Sequence, residues 1–336
     1  MDKNHSGNKK YSVAVVGATG LIGRKILGTL YKRRFPISGL RVFASEKSEG
    51  KKISFGGERL TVEKTDENVC GKFDFVFFSA GKDVSLKYAP LFAKSGAIVI
   101  DNSSAFRSDK NVPLVIPEIN GAILSEIPKR IVANPNCSTI IALLAAAPLN
   151  RLSRIETMTA CTYQAVSGAG QEGLTELMRQ TADVAAGRSA ESHVFPAQIA
   201  CNVIPFIGAE QPNGYTDEEM KMQNEGRRIL HSPELRVSCT CVRVPVLRSH
   251  SIALTLRTER KITPQEAADA IDAFPGCRVA RDISGRSYPT PVDVSGQDTV
   301  WVGRIREDLT DERGLTLWCC GDQILRGAAL NAVKIM

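Results

Sequence analysis

Residues 11–136 alternate short apolar strands with helices, and the first of those strands runs straight into a glycine turn; from Ile155 onward the strands lengthen. These observations predict an α/β chain: a Rossmann-type domain on a parallel sheet, followed by an α+β domain on a mostly antiparallel sheet with helices on one face. The first domain is expected to span 1–136, joined by a returning C-terminal helix at 321–336, which leaves 137–320 for the second.

The opening strand, Tyr11–Val16 (YSVAVV), is apolar and valine-rich, as a buried parallel strand is. Gly17-Ala-Thr-Gly20-Leu-Ile-Gly23 follows at once, and Leu21, Ile22, Ile26, Leu27 and Leu30 then recur at helical spacing. A strand, a glycine turn and a helix in that order let backbone N–H groups approach a pyrophosphate at the helix N-terminus. Alone, glycines at this spacing fit a bare structural turn equally well; the flanking strand and helix favour the nucleotide.

The second strand, Leu40–Ala44, ends where an adenosine ribose would sit, and the chain continues Ser45-Glu46-Lys47-Ser48 and Gly50-Lys51-Lys52. Hydroxyls and a cation suit a 2′-phosphate, hence NADP. Glu46 is the alternative, a carboxylate suited to the ribose of NAD, and a solvated charged loop is a third reading. Phe73–Phe78 is another buried strand, closed by the small-residue turn Ser79-Ala80-Gly81, where backbone again comes close to a cofactor. A helix over Val84–Ser95 and a strand over Ala97–Ile100 lead to Asp101-Asn-Ser-Ser104.

In the second domain the strands expected are Thr157–Ala165, Arg236–Val246, Ser251–Arg257, Thr299–Ile305 and Leu315–Cys320. Thr263-Pro264-Gln-Glu266 supplies an N-cap, a first-turn proline and a capping-box acid for one helix. The Ala- and Leu-rich segment Asp322–Ile335 is read as helical, and neither an internal repeat nor a low-complexity tract is present.

Val132-Ala-Asn-Pro-Asn-Cys137-Ser-Thr-Ile-Ile141 sets a cysteine after an Asn-Pro turn, at the start of an apolar helical stretch reaching about Pro148. A thiol there meets the positive end of the helix dipole and the unpaired N–H groups of the first turn, which favour the thiolate. Cys137 is therefore a candidate nucleophile; a small buried residue opening a helix is the alternative.

Composition fits a two-domain enzyme, with 336 residues and 43% hydrophobic content. No apolar stretch is long enough to span a membrane, and the tail Met1–Lys10 is polar with no hydrophobic region before a cleavage site, so a cytoplasmic protein without membrane contact is expected. Nine cysteines, an odd number without regular spacing, argue against a disulfide framework and for a reducing compartment. Cys239-x-Cys241 and Cys319-Cys320 sit in apolar alternating runs with no nearby histidine, so they read as core residues and no metal is expected. The formal charge of +7 has no long basic run behind it and few interleaved aromatics, which gives nucleic-acid binding little support.

Six blocks now stand in one order along the chain: Gly17-Ala-Thr-Gly-Leu-Ile-Gly23, Asp101-Asn-Ser-Ser-Ala-Phe-Arg107, Val115-Ile-Pro-Glu-Ile-Asn120, Ala133-Asn-Pro-Asn-Cys-Ser-Thr139, Thr162-Tyr-Gln-Ala-Val-Ser-Gly-Ala-Gly-Gln171 and Arg243-Val-Pro-Val-Leu-Arg-Ser-His250. Together with the closing Gly327–Ile335, they resemble the aspartate-semialdehyde dehydrogenases over nearly the whole chain from Tyr11. The resemblance implies NADPH-dependent, reversible reduction of L-aspartyl 4-phosphate to aspartate 4-semialdehyde with release of phosphate, in the aspartate-derived route to lysine, diaminopimelate, threonine and methionine. It implies that Cys137 forms a thioester, that His250 is the acid/base residue and that Gln164 orients the intermediate.

By the same resemblance Arg243 holds the substrate carboxylate, Glu218 the amine, and Arg107, Asn136 and Lys221 the phosphate. The residues alone leave plainer readings beside these: a core histidine, a strand-end amide, a solvated strand arginine, and an i,i+3 salt bridge between Glu218 and Lys221. The implied cofactor contacts are Gly17, Thr19, Gly20, Leu21 and Ile22 at the glycine turn and Ser45, Lys47 and Ser48 at the ribose. Ser79, Ala80, Gly81 and Ser103 follow, then Ser167, Gly168 and Gln323. The chain departs from the family pattern at Lys82, where a glycine is usual, at Gln323, where an asparagine follows the aspartate, and at Lys47, where arginine is common. A homodimer through the second domain, and by extension a tetramer, is implied. A sister acyl-phosphate reductase, told apart by Arg243 and Glu218, and a non-enzymatic nucleotide sensor are the alternative functions.

Overall fold

The computed structural model describes residues 9–336, and the first eight residues of the polar tail lie outside the described residues. The chain divides into two units. One comprises the described residues up to Val115 with Ala122–Asn134 and Ala329–Met336; the other comprises Ile116–Gly121 and Pro135–Ala328. The returning segment thus begins at Ala329, where the sequence placed it at 321, and a short piece around Pro117 belongs to the second unit.

The first unit contains β1 (Tyr11–Val16), β2 (Ile37–Ala44), β3 (Lys52–Phe55), β4 (Glu58–Lys64), β5 (Phe75–Phe78), β6 (Ile98–Asp101) and β7 (Ile131–Ala133). They form one sheet in the order β3-β4-β2-β1-β5-β6-β7, parallel throughout except for the β3–β4 hairpin. That hairpin is absent from the sequence reading, because KISF and ERLTVEK are charged edge strands whose weak apolar pattern resembles a loop. Helices α1 (Leu21–Lys32) and α2 (Lys82–Lys94) follow β1 and β5. β1 has β2 on one side and β5 on the other, so the strand order reverses there and the carboxyl ends of β1 and β5 open a crevice. Val13, Val15 and Phe77 of the sheet pack with Ile26, Leu27 and Leu30 of α1 and with Ala332 and Val333 of the terminal helix Leu330–Ile335. Asn331 anchors that helix, its amide donating to the Val115 carbonyl at 2.9 Å and to Asn134 at 2.7 Å.

The second unit holds β8 (Ile155–Ala165), β9 (Arg236–Val244), β10 (His250–Thr258), β11 (Cys277–Val279), β12 (Val300–Glu307) and β13 (Gly314–Gly321) in the order β11-β12-β13-β10-β8-β9. The three inner pairings are antiparallel and the two outer ones parallel, which bears out the mostly antiparallel sheet. Its helices are α3 (Pro117–Asn120), α4 (Cys137–Leu152), α5 (Gly170–Ala185), α6 (Asp217–Ile229), α7 (Pro264–Ala273) and α8 (Pro291–Val294). α4 is almost wholly buried, runs past the expected Pro148, and packs on β8, β10, β12 and β13. Met158, Ala160, Thr162 and Gln164 alternate toward the buried face of β8, while Thr159 and Tyr163 with Ser238 and Thr240 of β9 are exposed on the other.

The single helix expected over Asp322–Ile335 is instead a π-helix over Leu325–Ala329 leading into Leu330–Ile335. The Gly327 N–H reaches the Asp322 carbonyl five residues back at 3.0 Å, and the Asp322 carboxylate accepts the N–H groups of Ile324 and Leu325, so the chain opens with a wide turn. All nine cysteines are free thiols, and among the described residues no helix is long and apolar enough to cross a membrane.

Candidate active site

At one end of the second sheet three strands bring buried polar side chains to the N-terminus of α4. Gln164 near the end of β8 stands in register with Arg243 of β9, and β10 begins at His250. Asn136 is the N-cap of α4, its side-chain oxygen accepting the N–H groups of Ser138 and Thr139 at 3.0 and 3.3 Å. Cys137 is therefore the first helical residue, with no acid in the first turn to oppose a thiolate. Its Sγ lies 3.5 Å from Nε2 of His250.

On the far side of the imidazole ring, the Ala165 N–H donates to Nδ1 of His250 at 3.0 Å. Nδ1 is thus an acceptor, and this hydrogen-bond pattern assigns the ring proton to Nε2, facing the sulfur. Burial, and after it the charge of Arg243, holds His250 well below the ordinary histidine value, so the imidazole is neutral. A neutral ring with its hydrogen on Nε2 is a donor toward Sγ and toward any oxyanion formed beside it.

Arg243 is buried, donates from Nη1 to the Ala165 carbonyl at 2.8 Å, and has its guanidinium 5.9 Å from the Phe195 ring centre. Gly168 makes room for it: a Cβ there would lie 2.7 Å from Nη1 of Arg243 and 3.5 Å from Cε1 of His250. Glu218, on the first turn of α6, accepts hydrogen bonds from Asn136 Nδ2 at 3.0 Å, Gln164 Nε2 at 3.1 Å and Lys221 Nζ at 3.0 Å. Burial pushes its carboxyl up, but the Lys221 charge and these hydrogen bonds outweigh burial and hold it below the ordinary value. Lys221 is raised in turn, because Glu218 and Asp217 overcome its own desolvation. Asp217 lies 2.9 Å away, so Lys221 joins two carboxylates rather than forming a lone surface pair. Cys137, Gln164, Arg243, His250, Asn136, Glu218 and Lys221 thus form one connected cluster within the second unit.

The first unit carries a cavity of about 810 Å³ at its crevice, lined among others by Gly17, Thr19, Gly20, Ser45, Lys47, Ser79 and Ala80. Gly17 sits at φ +84°, and a Cβ there would come within 2.5 Å of the Ser79 carbonyl oxygen, so only glycine lets these two turns meet. The N-cap of α1, Gly20, makes no side-chain cap and the first turn holds no acid, which leaves the N–H groups of Leu21 and Ile22 for an anion. These features fit a dinucleotide phosphate. At the ribose end Lys47 and Lys64 line the cavity, and Lys64 pairs with Glu46 at 3.2 Å.

Other expected contacts lie elsewhere. Ser48 is buried, with Lys51 Nζ at 3.5 Å from its hydroxyl, and is not among the cavity residues. Gly81 caps α2 at φ +90°. The Ser103 hydroxyl donates to Asp101 at 2.7 Å and accepts from the Ala105 N–H, closing a turn. Arg107, in the first unit, donates to the carbonyls of Asn134 at 2.9 Å and Asn102 at 2.8 Å. Ser167 and Gln323, in the second unit, are hydrogen-bonded to each other.

Sequence reasoning missed Lys64, Thr65 and Tyr88 as cavity residues, because Lys64 ends β4, which carries no clear strand signal. It also missed Glu225, which accepts the Asn136 N–H at 2.7 Å and shares no motif with it. Glu118, within the Val115–Asn120 block, meets Arg326 at 2.9 Å in a buried ion pair.

A semialdehyde dehydrogenase NAD-binding domain model matches residues 12–127, and a semialdehyde dehydrogenase dimerisation domain model matches residues 146–326. The aspartate-semialdehyde dehydrogenase of Aquifex aeolicus is 44% identical over 97% of this chain and 96% of its own length. Aspartate-semialdehyde dehydrogenase 2 of Vibrio cholerae is 42% identical over 98% of this chain and 97% of its own. A crystal structure of the Vibrio cholerae aspartate semialdehyde dehydrogenase II complexed with ASA superposes with a TM-score of 0.94, at 42% identity and 97% coverage of both chains. A probable aspartate-semialdehyde dehydrogenase from Pseudomonas aeruginosa gives 0.90 at 30% identity, with 97% of both chains covered.

Proposed function

The chain belongs to the aspartate-semialdehyde dehydrogenase family, and from that premise we propose that it reduces L-aspartyl 4-phosphate to L-aspartate 4-semialdehyde reversibly, releasing phosphate, with Cys137 as nucleophile. The observation that carries the reading is the Cys137–His250 pair at 3.5 Å, set at the N-terminus of α4 beside Gln164 and Arg243. The Cys137 thiolate attacks the acyl carbon, a C–S bond forms, and the C–O bond to phosphate breaks. NADPH, when bound, supplies the hydride that takes the thioester to the thiohemiacetal level. Collapse of that oxyanion breaks the C–S bond, gives the aldehyde and restores the thiolate.

No proton need pass through His250 in this sequence. The departing phosphate takes the reaction's one proton from solvent, while the Nε2–H of a neutral imidazole hydrogen-bonds the thiolate first and the oxyanion next. Family resemblance implies an acid/base; the Ala165 N–H on Nδ1 supports a fixed donor instead. Arg243 holds the α-carboxylate, Glu218 the amine, Gln164 the carbonyl, and Asn136 and Lys221 the phosphate. Residues 1–136 with the C-terminal segment bind the cofactor through Gly17, Thr19, Gly20, Leu21, Ile22, Ser79 and Ala80. Lys47 at the ribose end, with Glu46 already paired to Lys64, favours NADP. Residues 137–320 supply catalysis and dimerisation, and the exposed β8–β9 face bearing Tyr163 suits a homodimer in the cytoplasm.

The test is phosphate-dependent reduction of NADP, followed at the nicotinamide absorbance, with aspartate semialdehyde and N-acetylglutamate semialdehyde compared. Turnover with the first alone, and only with phosphate present, supports the reading. Turnover with the second moves it to a sister reductase, and turnover with neither moves it to a sensor.

A further inference from the structure

His250 owes its orientation to two segments distant in sequence. The turn after β8 brings the Ala165 N–H to Nδ1, and the entry to β10 sets the Cα from which the ring projects. That entry is strained, since Ser249 adopts φ +74°, a left-handed conformation that a side chain disfavours. Such a residue persists only when its surroundings over-determine it.

Gln323 touches both segments. It is 3% exposed; its Oε1 accepts the Ser249 N–H at 2.7 Å, and its Nε2 donates to the Ser167 hydroxyl, two residues beyond Ala165. The Ser249 hydroxyl is held on its other side by Ser295 at 2.8 Å. Gln323 is itself fixed by its neighbour Asp322, whose buried carboxylate binds Arg248 at 2.6 Å and the Gly296 N–H at 2.6 Å. Both functional groups of the Gln323 amide are therefore engaged within the second unit.

We propose that Gln323 is a positioning residue for His250: its amide clamps the strained Ser249 to the Ser167 turn, and so keeps Ala165 N–H on Nδ1 and the Nε2 hydrogen on Cys137. The clamp is a role for Gln323 and Ser167 beside the cofactor contact that the family resemblance implies for them. The proposal rests on the reading of Cys137 as nucleophile beside His250. Cys137→Ala tests that reading separately, since a variant that still turns over would remove it whatever Gln323 does.

The clamp is tested on cofactor-free protein. Iodoacetamide alkylation of Cys137 is followed by mass spectrometry of its own peptide, because Cys201 is exposed and Cys70 and Cys161 are half-buried. In Gln323→Ala, loss of a donor held to the sulfur should slow alkylation of Cys137, and kcat with it, by about tenfold. Ser167→Ala, which removes one hydroxyl and one arm of the clamp, should move the same two quantities by about threefold. Gln323→Asn, too short to span both partners, should follow Gln323→Ala. Wild-type alkylation rates in the folded variants would overturn the proposal, whether or not KM for NADP rises. If Gln323→Ala fails to fold, Ser167→Ala decides by the same criterion.

Discussion

Cys137 and Cys277 are cysteines of one unit, and their surroundings give them opposite chemistry. Cys277 lies in β11 with its thiol donating to the Leu144 carbonyl at 3.0 Å, and burial pushes it up to about 12. Cys319 and Cys320 in β13 are fully buried and also raised, by burial first. Cys137 instead tops a helix with a capped first turn, an imidazole donor at 3.5 Å and the Arg243 charge nearby. Reactivity therefore follows from the local field and the available donors, and the mere presence of a thiol says little.

The sharpest way to break the contrast is to exchange the fates of the two thiols. Cys137→Ala should lower kcat at least about a thousandfold while NADP still binds, since nothing else in the cluster forms the thioester. Equal loss of turnover and of cofactor affinity, read by fluorescence titration of NADPH, would remove Cys137 as nucleophile. His250→Ala should cost about a hundredfold or more in kcat, the usual scale for one donor to a developing oxyanion. The Arg243 charge and the Cys137 sulfur face the ring, and the ring itself stays neutral. The pH dependence of kcat should therefore show no step that disappears in His250→Asn; such a step near neutrality would restore His250 as a proton shuttle.

Arg243→Lys tests the same end of the sheet through binding. A guanidinium meets a carboxylate with two parallel hydrogen bonds where an ammonium makes one contact, so KM for the semialdehyde should rise about tenfold with a smaller change in kcat. Unchanged kinetics would take Arg243 out of the site. Glu218 contributes to stability as well. Its carboxyl lies below the unfolded value, so its contribution is fully present above that unfolded value and is lost as pH falls through the folded one. Glu218→Gln should flatten that part of an acid-unfolding curve, and a variant curve parallel to the parent's would remove the ion pair as its cause.

The two units also differ in how far their residues announced them. In the first, β1, the glycine turn and α1 are consecutive, so one stretch of sequence holds strand, anion site and helix together, and local pattern sufficed. The β3–β4 hairpin escaped because its strands are charged, and Lys64 escaped with it. In the second unit Cys137, Gln164, Glu218 and the pair Arg243 and His250 come from four distant segments. Cys137 was marked by its place at a helix N-terminus, but only the family resemblance singled out the others, because no local period shows that β8 and β9 run parallel with Gln164 opposite Arg243. The Ala165 N–H and the Gln323 clamp are backbone and long-range contacts, which residue identity does not record. The broken terminal helix was missed for a related reason: Ala and Leu carry high helix propensity in α- and π-turns alike, and the wide turn is set by Asp322.

The smallest effect belongs to the quiet side of the comparison and is its strictest check. A thiol raised from 9.0 to about 12 binds its proton more tightly in the folded chain than in the unfolded one. Its contribution is thus fully present below about pH 9 and declines as pH rises toward the folded value. Cys277→Ala should leave turnover unchanged and cost about 1 kcal/mol of stability near neutrality, for the lost hydrogen bond and a small cavity. The variant should also lose less stability than the parent between neutral and alkaline pH, because the ionisation that favours the unfolded chain is gone. If both proteins weaken in parallel by urea denaturation, burial is not what holds that thiol protonated. A loss of turnover in Cys277→Ala would mean that the core thiols and the nucleophile are not separate populations.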